Sequence, residues 1–90
     1  MKINQDFTLQ KVGGSHVAVA VGETSKKFHG MIRLNETGAF LWSLMAERDC
    51  TEADLVDAIL DRYEVDRATA EADVKRLVKS LADNGIFENA

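Results

Sequence analysis

The stretch Met31-Ile32-Arg33-Leu34-Asn35-Glu36-Thr37-Gly38-Ala39-Phe40-Leu41-Trp42 decides the fold, because the hydrophobic period changes inside it. Up to Leu34 the apolar residues alternate, the period of a strand half-buried in a sheet. From Glu36 they recur at helical spacing, with Phe40, Leu41, Leu44 and Met45 as the expected buried stripe. Asn35 stands at the junction, where its short side chain can cap a helix running from about Glu36 to Glu47.

N-terminal to the junction the chain reads as strands. Phe7 and Leu9 alternate with Thr8 and Gln10, and the pair Gly13-Gly14 suits the positive φ angles of a tight hairpin turn. Val17-Ala18-Val19-Ala20-Val21 follows, three valines on one face and two alanines on the other. The valine face is the natural core face. Gly22 to Lys27 reads as a loop. A third strand, about Phe28 to Leu34, sets Phe28, Ile32 and Leu34 against Met31 and Arg33 on the opposite face.

C-terminal to the junction two more helices follow. Thr51 caps the first, with Asp54 three residues on in a capping-box pattern, and Leu55, Ala58, Ile59 and Tyr63 form its stripe. Asp66 caps the second, whose stripe is Ala70, Val74, Leu77, Val78 and Leu81. Leu77 is thereby expected in the core. Asn84-Gly85 ends this helix, glycine tolerating the left-handed conformation, and Ile86 and Phe87 fold back as an apolar tail. Three antiparallel strands followed by three helices make an α+β fold, winged-helix-like but with the sheet first, in one domain over residues 1–90.

Composition narrows the function. The 90 residues hold one core, and the formal net charge of -4 runs against nucleic-acid binding, which draws affinity from positive charge. A lone cysteine, Cys50, makes no internal disulfide and points to a reducing cytoplasm. No apolar signal region opens the chain, and the longest apolar run, Val17 to Val21, cannot span a bilayer. No catalytic constellation is expected. Cys50 has no histidine near it in sequence, and His16, His29 and Cys50 form no close-spaced metal pair. The expectation is therefore no metal, no cofactor and no catalysis. A DNA-reading role for the last helix would place Glu71 and Asp83 among Lys75, Arg76 and Lys79, where the acids repel phosphate. Backbone chemistry remains: a three-stranded sheet has two edges, and an edge without proline accepts an added strand.

At this point the residues resemble a known family. Leu34-Asn35-Glu36-Thr37-Gly38-Ala39, followed by Phe40-Leu41-Trp42, is similar to the L-N-x-T-G/A-A-x-I/L-W segment of PqqD-family proteins. Thr51-Glu52-Ala53-Asp54-Leu55 matches the family's T-x-x-[ED]-L helix start, and Tyr63 its aromatic near that helix's end. Asp73-Val74, Leu77, Leu81, Gly85 and Ile86 match its closing pattern. The likeness runs from about Asp6 to Glu88; Thr24 to His29 departs from it, being longer than the hairpin of some relatives. The resemblance implies a chaperone that binds the leader of a ribosomally made precursor peptide by strand addition. It presents that peptide to a modifying enzyme, often a radical S-adenosylmethionine enzyme. It implies a peptide groove of Met31, Ile32, Arg33 and Leu34 with Asp73, Arg76, Leu77 and Ser80. Asn35 and Gly38 then serve the helix start, and Trp42, off the main stripe, lids the core. An interaction module of another system, such as transport or sugar-polymer assembly, and a small winged-helix DNA-binding regulator stay open as alternatives. A free edge can also pair with itself, which leaves a homodimer open.

Overall fold

The computed structural model describes residues 1–22 and 31–87. Three strands, β1 (Phe7–Val12), β2 (Ser15–Ala20) and β3 (Met31–Leu34), precede three helices, α1 (Glu36–Glu47), α2 (Glu52–Arg62) and α3 (Arg67–Asp83). The sheet is antiparallel in the order β1-β2-β3. The loop expected over Gly22 to Lys27 and the strand residues expected at Phe28 to Gly30 lie outside the described residues, apart from Gly22.

The hairpin turns on Gly13 and Gly14, at φ 57° and 85°. Two successive positive φ angles define the two-residue turn whose twist suits antiparallel strands, and glycine adopts them without a Cβ penalty. The turn fixes the register: Phe7 pairs with Ala20, Leu9 with Ala18 and Val12 with Ser15. On the other side Ala18 pairs with Ile32 and Val17 with Arg33.

This register overturns the expected core face of β2. Residues directly opposite in a sheet share a face. Ala18 and Ala20 therefore lie with Phe7, Leu9, Ile32 and Leu34, and all six pack in or against the core. Val17 and Val19 lie with Thr8, Gln10, Met31 and Arg33 on the far face, where Val17 is nonetheless buried and Val19 half-buried, both outside the main core cluster. The flanking strands decide the matter. Turning the valines inward would expose Phe7, Leu9, Ile32 and Leu34, each worth about 1.5–3 kcal/mol when fully buried. It would also bury Thr8, Gln10 and Arg33 without partners.

The helix starts follow the caps read from the sequence. The Asn35 side chain accepts from the Gly38 amide at 2.7 Å. Thr51 and Asp54 form the reciprocal box, Asp54 N–H to Thr51 Oγ1 at 3.1 Å and Thr51 N–H to Asp54 Oδ2 at 3.0 Å. Asp66 accepts from the Thr69 amide at 3.1 Å. These bonds hold two carboxyls below their ordinary range: Asp54 chiefly through the Thr51 backbone N–H, Asp66 chiefly through its side-chain bond with Thr69.

The buried face of α1 is turned slightly from expectation. Gly38, Ala39, Leu41, Trp42 and Met45 are buried, while Phe40 and Leu44 are half-buried. Trp42 is thus a core residue outright. In α2 the buried residues are Leu55, Val56 and Ile59, with Ala58 and Tyr63 half-buried. Ala70, Val74 and Leu81 bury the inner face of α3. Gly85, at φ 68°, turns the chain so that Ile86 enters the core and Phe87 bridges Ile3. Cys50 is buried, its Sγ beside the carbonyls of Leu44 and Arg48. No described helix is long and apolar enough to cross a membrane.

The face assignment is testable by substitution. Ala18→Val, which adds bulk at a fully buried site, should destabilise by about 1–3 kcal/mol. Val19→Thr, on the far face, should cost no more than about 0.5 kcal/mol. Urea denaturation of both variants measures the difference; equal costs would contradict the assignment.

Candidate functional site

β3 is an edge strand: among the described residues it pairs with β2 alone. The hairpin determines which of its backbone groups are committed. A two-residue turn closes on a hydrogen-bonded pair, here Val12 with Ser15, and such pairs alternate along an antiparallel ladder. Gln10–Val17 and Thr8–Val19 are therefore the next hydrogen-bonded pairs. The sequence continues to Asp6–Val21, where Val21 N–H donates to the Asp6 carbonyl at 2.7 Å. The amides and carbonyls of Val17 and Val19 are thus turned to β1, and those of His16 and Ala18 to β3. Their partners there are Leu34 and Ile32. The amides and carbonyls of Met31 and Arg33 then face the open edge.

That edge runs into a groove of about 230 Å³. Arg33 and Leu34 form one wall. Asp73, Arg76, Leu77 and Ser80 form the opposite wall, at the i, i+3, i+4, i+7 spacing that puts them on one face of α3. The first turns of α1, with Thr37, Gly38 and Leu41, close the end. Gly38 permits the close approach there: a Cβ would sit 3.1 Å from Asn35 Oδ1 and 3.4 Å from Leu34 Cβ. Both the cap and the tight packing expected of Asn35 and Gly38 are present.

Six of the eight residues expected at the site line this groove: Arg33, Leu34, Asp73, Arg76, Leu77 and Ser80. Ile32 does not; its side chain is half-buried against the core. Met31 does not either, standing 63% exposed on the far face of the sheet. Met31 reaches the open edge by its backbone. Leu41, read from the sequence as core only, is also the groove's floor, and Thr37 adds a hydroxyl at its end; neither carried a distinguishing signal beyond its place beside Gly38 and on the α1 stripe. Arg76, exposed, pairs with the partly exposed Asp73 at 3.2 Å, so the pair adds little stability. Among the described residues no three His, Cys, Asp or Glu side chains gather around a metal position. Of the three soft ligands in the sequence, Cys50 is in the core and His29 lies outside the described residues.

Leu77, expected both in the core stripe and at the groove, is half-buried: it packs against the core and lines the groove. Leu77→Ala should therefore cost only about 1 kcal/mol of stability, in keeping with partial burial. Leu81→Ala, one turn on and fully buried, should cost about 2–5 kcal/mol. Chemical denaturation of the two variants checks this, and equal losses would return Leu77 to the core.

Comparison with known proteins bears on this geometry. No curated protein sequence matches the chain. Two solved structures share its fold along nearly its whole length. One is described as TbiB1 in complex with the TbiA(beta) leader peptide, with a TM-score of 0.75 and 28% identity over 100% of this chain and 98% of that one. The other is described as lasso peptide synthetase B1 complexed with the leader peptide, with a TM-score of 0.70 and 25% identity over 94% and 93% of the two chains. The family model for coenzyme PQQ synthesis protein D matches residues 16–86, most of the chain and all of the groove, and the chain belongs to the PqqD family.

Proposed function

We propose that this protein is a non-catalytic chaperone of peptide modification. It binds the leader of a ribosomally made precursor peptide and presents the remainder to a modifying enzyme. The observation that carries the reading is the β3 edge: the backbone groups of Met31 and Arg33 face outward beside an apolar-floored groove. An extended peptide can hydrogen-bond to that edge and set alternate side chains into the groove. The two solved relatives, described with leader peptides bound, support the same ligand class. The family resemblance carries the expectation that the enzyme is a radical S-adenosylmethionine enzyme.

Backbone recognition supplies affinity with little sequence demand, and the groove supplies selection. An inward side chain of the added strand would meet Leu34, Leu41 and Leu77, with Asp73 and Arg76 at the rim. The DNA-binding alternative loses support on the same helix. Arg76 is paired with Asp73 and Lys79 with Asp83, each at 3.2 Å, so two of its cations are already matched by acids.

Substitution at Arg33 tests the reading. The side chain is exposed, so Arg33→Ala should keep the fold within about 0.5 kcal/mol and weaken leader binding no more than about fivefold. Arg33→Pro removes an N–H that faces away from β2, so the sheet should still form. The loss of that donor, with the ring set against the incoming strand, should weaken binding at least about tenfold. The ligand is a synthetic candidate leader peptide, and calorimetry gives the affinities. A folded Arg33→Pro variant that binds like the wild type would exclude strand addition through this amide.

A further inference from the structure

A second groove lies on the other side of α1, between that helix and the hairpin end of the sheet. Its volume is about 490 Å³. Lys11 and His16, paired across β1 and β2, stand on the sheet side. Phe40 and Tyr63 lie on the helical side with their rings edge to face, centroids 6.1 Å apart. The Arg62 guanidinium sits 4.7 Å from the Phe40 ring centroid and 5.9 Å from that of Tyr63.

Two features occur together in this groove. The first is unmatched positive charge in an acidic chain. Arg67, Arg76 and Lys79 each have an aspartate partner, whereas among the described residues Lys11 and Arg62, like Arg33, Arg48 and Lys75, have none, and only here do two such cations line one groove with an aromatic pair. Glu36, at the rim, is the groove's one acid. The aspartates of α2 line a neighbouring groove that shares Phe40 and Arg62 with this one; there Asp54 is engaged by its cap and Asp57 by Arg67, and Asp61 lies beside them. The second feature is the aromatic pair, half-buried on elements whose inward stripes are filled by other residues. Stacking on Phe40 holds the Arg62 head beside the rings without neutralising it.

We propose that this groove is a docking surface for a protein partner, taking an acidic segment that carries an aromatic side chain. The carboxylates would meet Lys11 and Arg62, and the aromatic side chain would pack on Phe40 and Tyr63. The leader groove uses Thr37, Gly38 and Leu41 of α1, and this one uses Glu36, Ala39 and Phe40, so both can be occupied together. On the function proposed above the partner is the modifying enzyme, but the surface itself stands apart from that reading.

The test uses the isotope-labelled full chain and a capped pentapeptide with two acidic residues on each side of a phenylalanine. Saturable amide shifts are expected at Lys11, His16, Arg62 and Tyr63, weakening as salt rises from about 50 to about 300 mM. Lys11→Glu and Arg62→Glu should each weaken binding at least about threefold, since reversal turns an attraction into a repulsion. Lys11 lies on the sheet, apart from the Arg62 stack on Phe40, so it remains informative if Arg62→Glu perturbs Phe40. Leader titration, which reads the other groove, should be unchanged by either substitution. The proposal is overturned if the acidic peptide gives no saturable shifts at these residues, or if a peptide with lysines in place of the acids binds equally well.

Discussion

The structure depends on the register set at Gly13 and Gly14. Both residues take positive φ, which closes a two-residue turn and makes Val12–Ser15 a hydrogen-bonded pair. Everything in the sheet then follows by alternation. A slip of one residue would exchange the faces of β2 and also exchange the backbone groups offered to β3. The same constraint therefore buries Ala18, half-buries Ala20 against the core and leaves the groups of Met31 and Arg33 facing out.

The helices were the most legible part of the chain. Asn35, Thr51 and Asp66 each sit one residue before a helix and each accepts an amide bond from its third residue, a local pattern that needs no tertiary information. The strand faces were less so. Val17, Val19 and Val21 read as core because valine is the larger residue, yet which face is inward is settled by the neighbours across the ladder. Phe7 and Leu9 on one side and Ile32 and Leu34 on the other outweigh them. The small turn of the buried face of α1 has the same origin: Phe40 has apolar spacing but stands at the second groove, and Trp42 takes the inward place.

The site was legible in its parts. Strand and helix contributions come together as one groove because α3 presents residues 73, 76, 77 and 80 on a single face and Gly38 lets α1 begin against β3. Side-chain reasoning alone misplaces Met31 and Ile32, since their contributions are separated by the pleat: one offers backbone to the edge and the other side chain to the core. The proposed binding through an edge would let a chain of 90 residues act without enclosing its ligand. The ladder needs only a strand with free donors and acceptors, and the groove beside it needs only a few side chains.

The direct test of the central claim is amide hydrogen exchange at single-residue resolution, with and without the leader. In the free protein the amides of Ile32 and Leu34 should exchange slowly and those of Met31 and Arg33 quickly, because only the first pair is bonded to β2. Leader binding should slow Met31 and Arg33 at least about tenfold while leaving the β1–β2 ladder unchanged. Arg33 protected already in the free protein, or unprotected in the complex, would contradict the account.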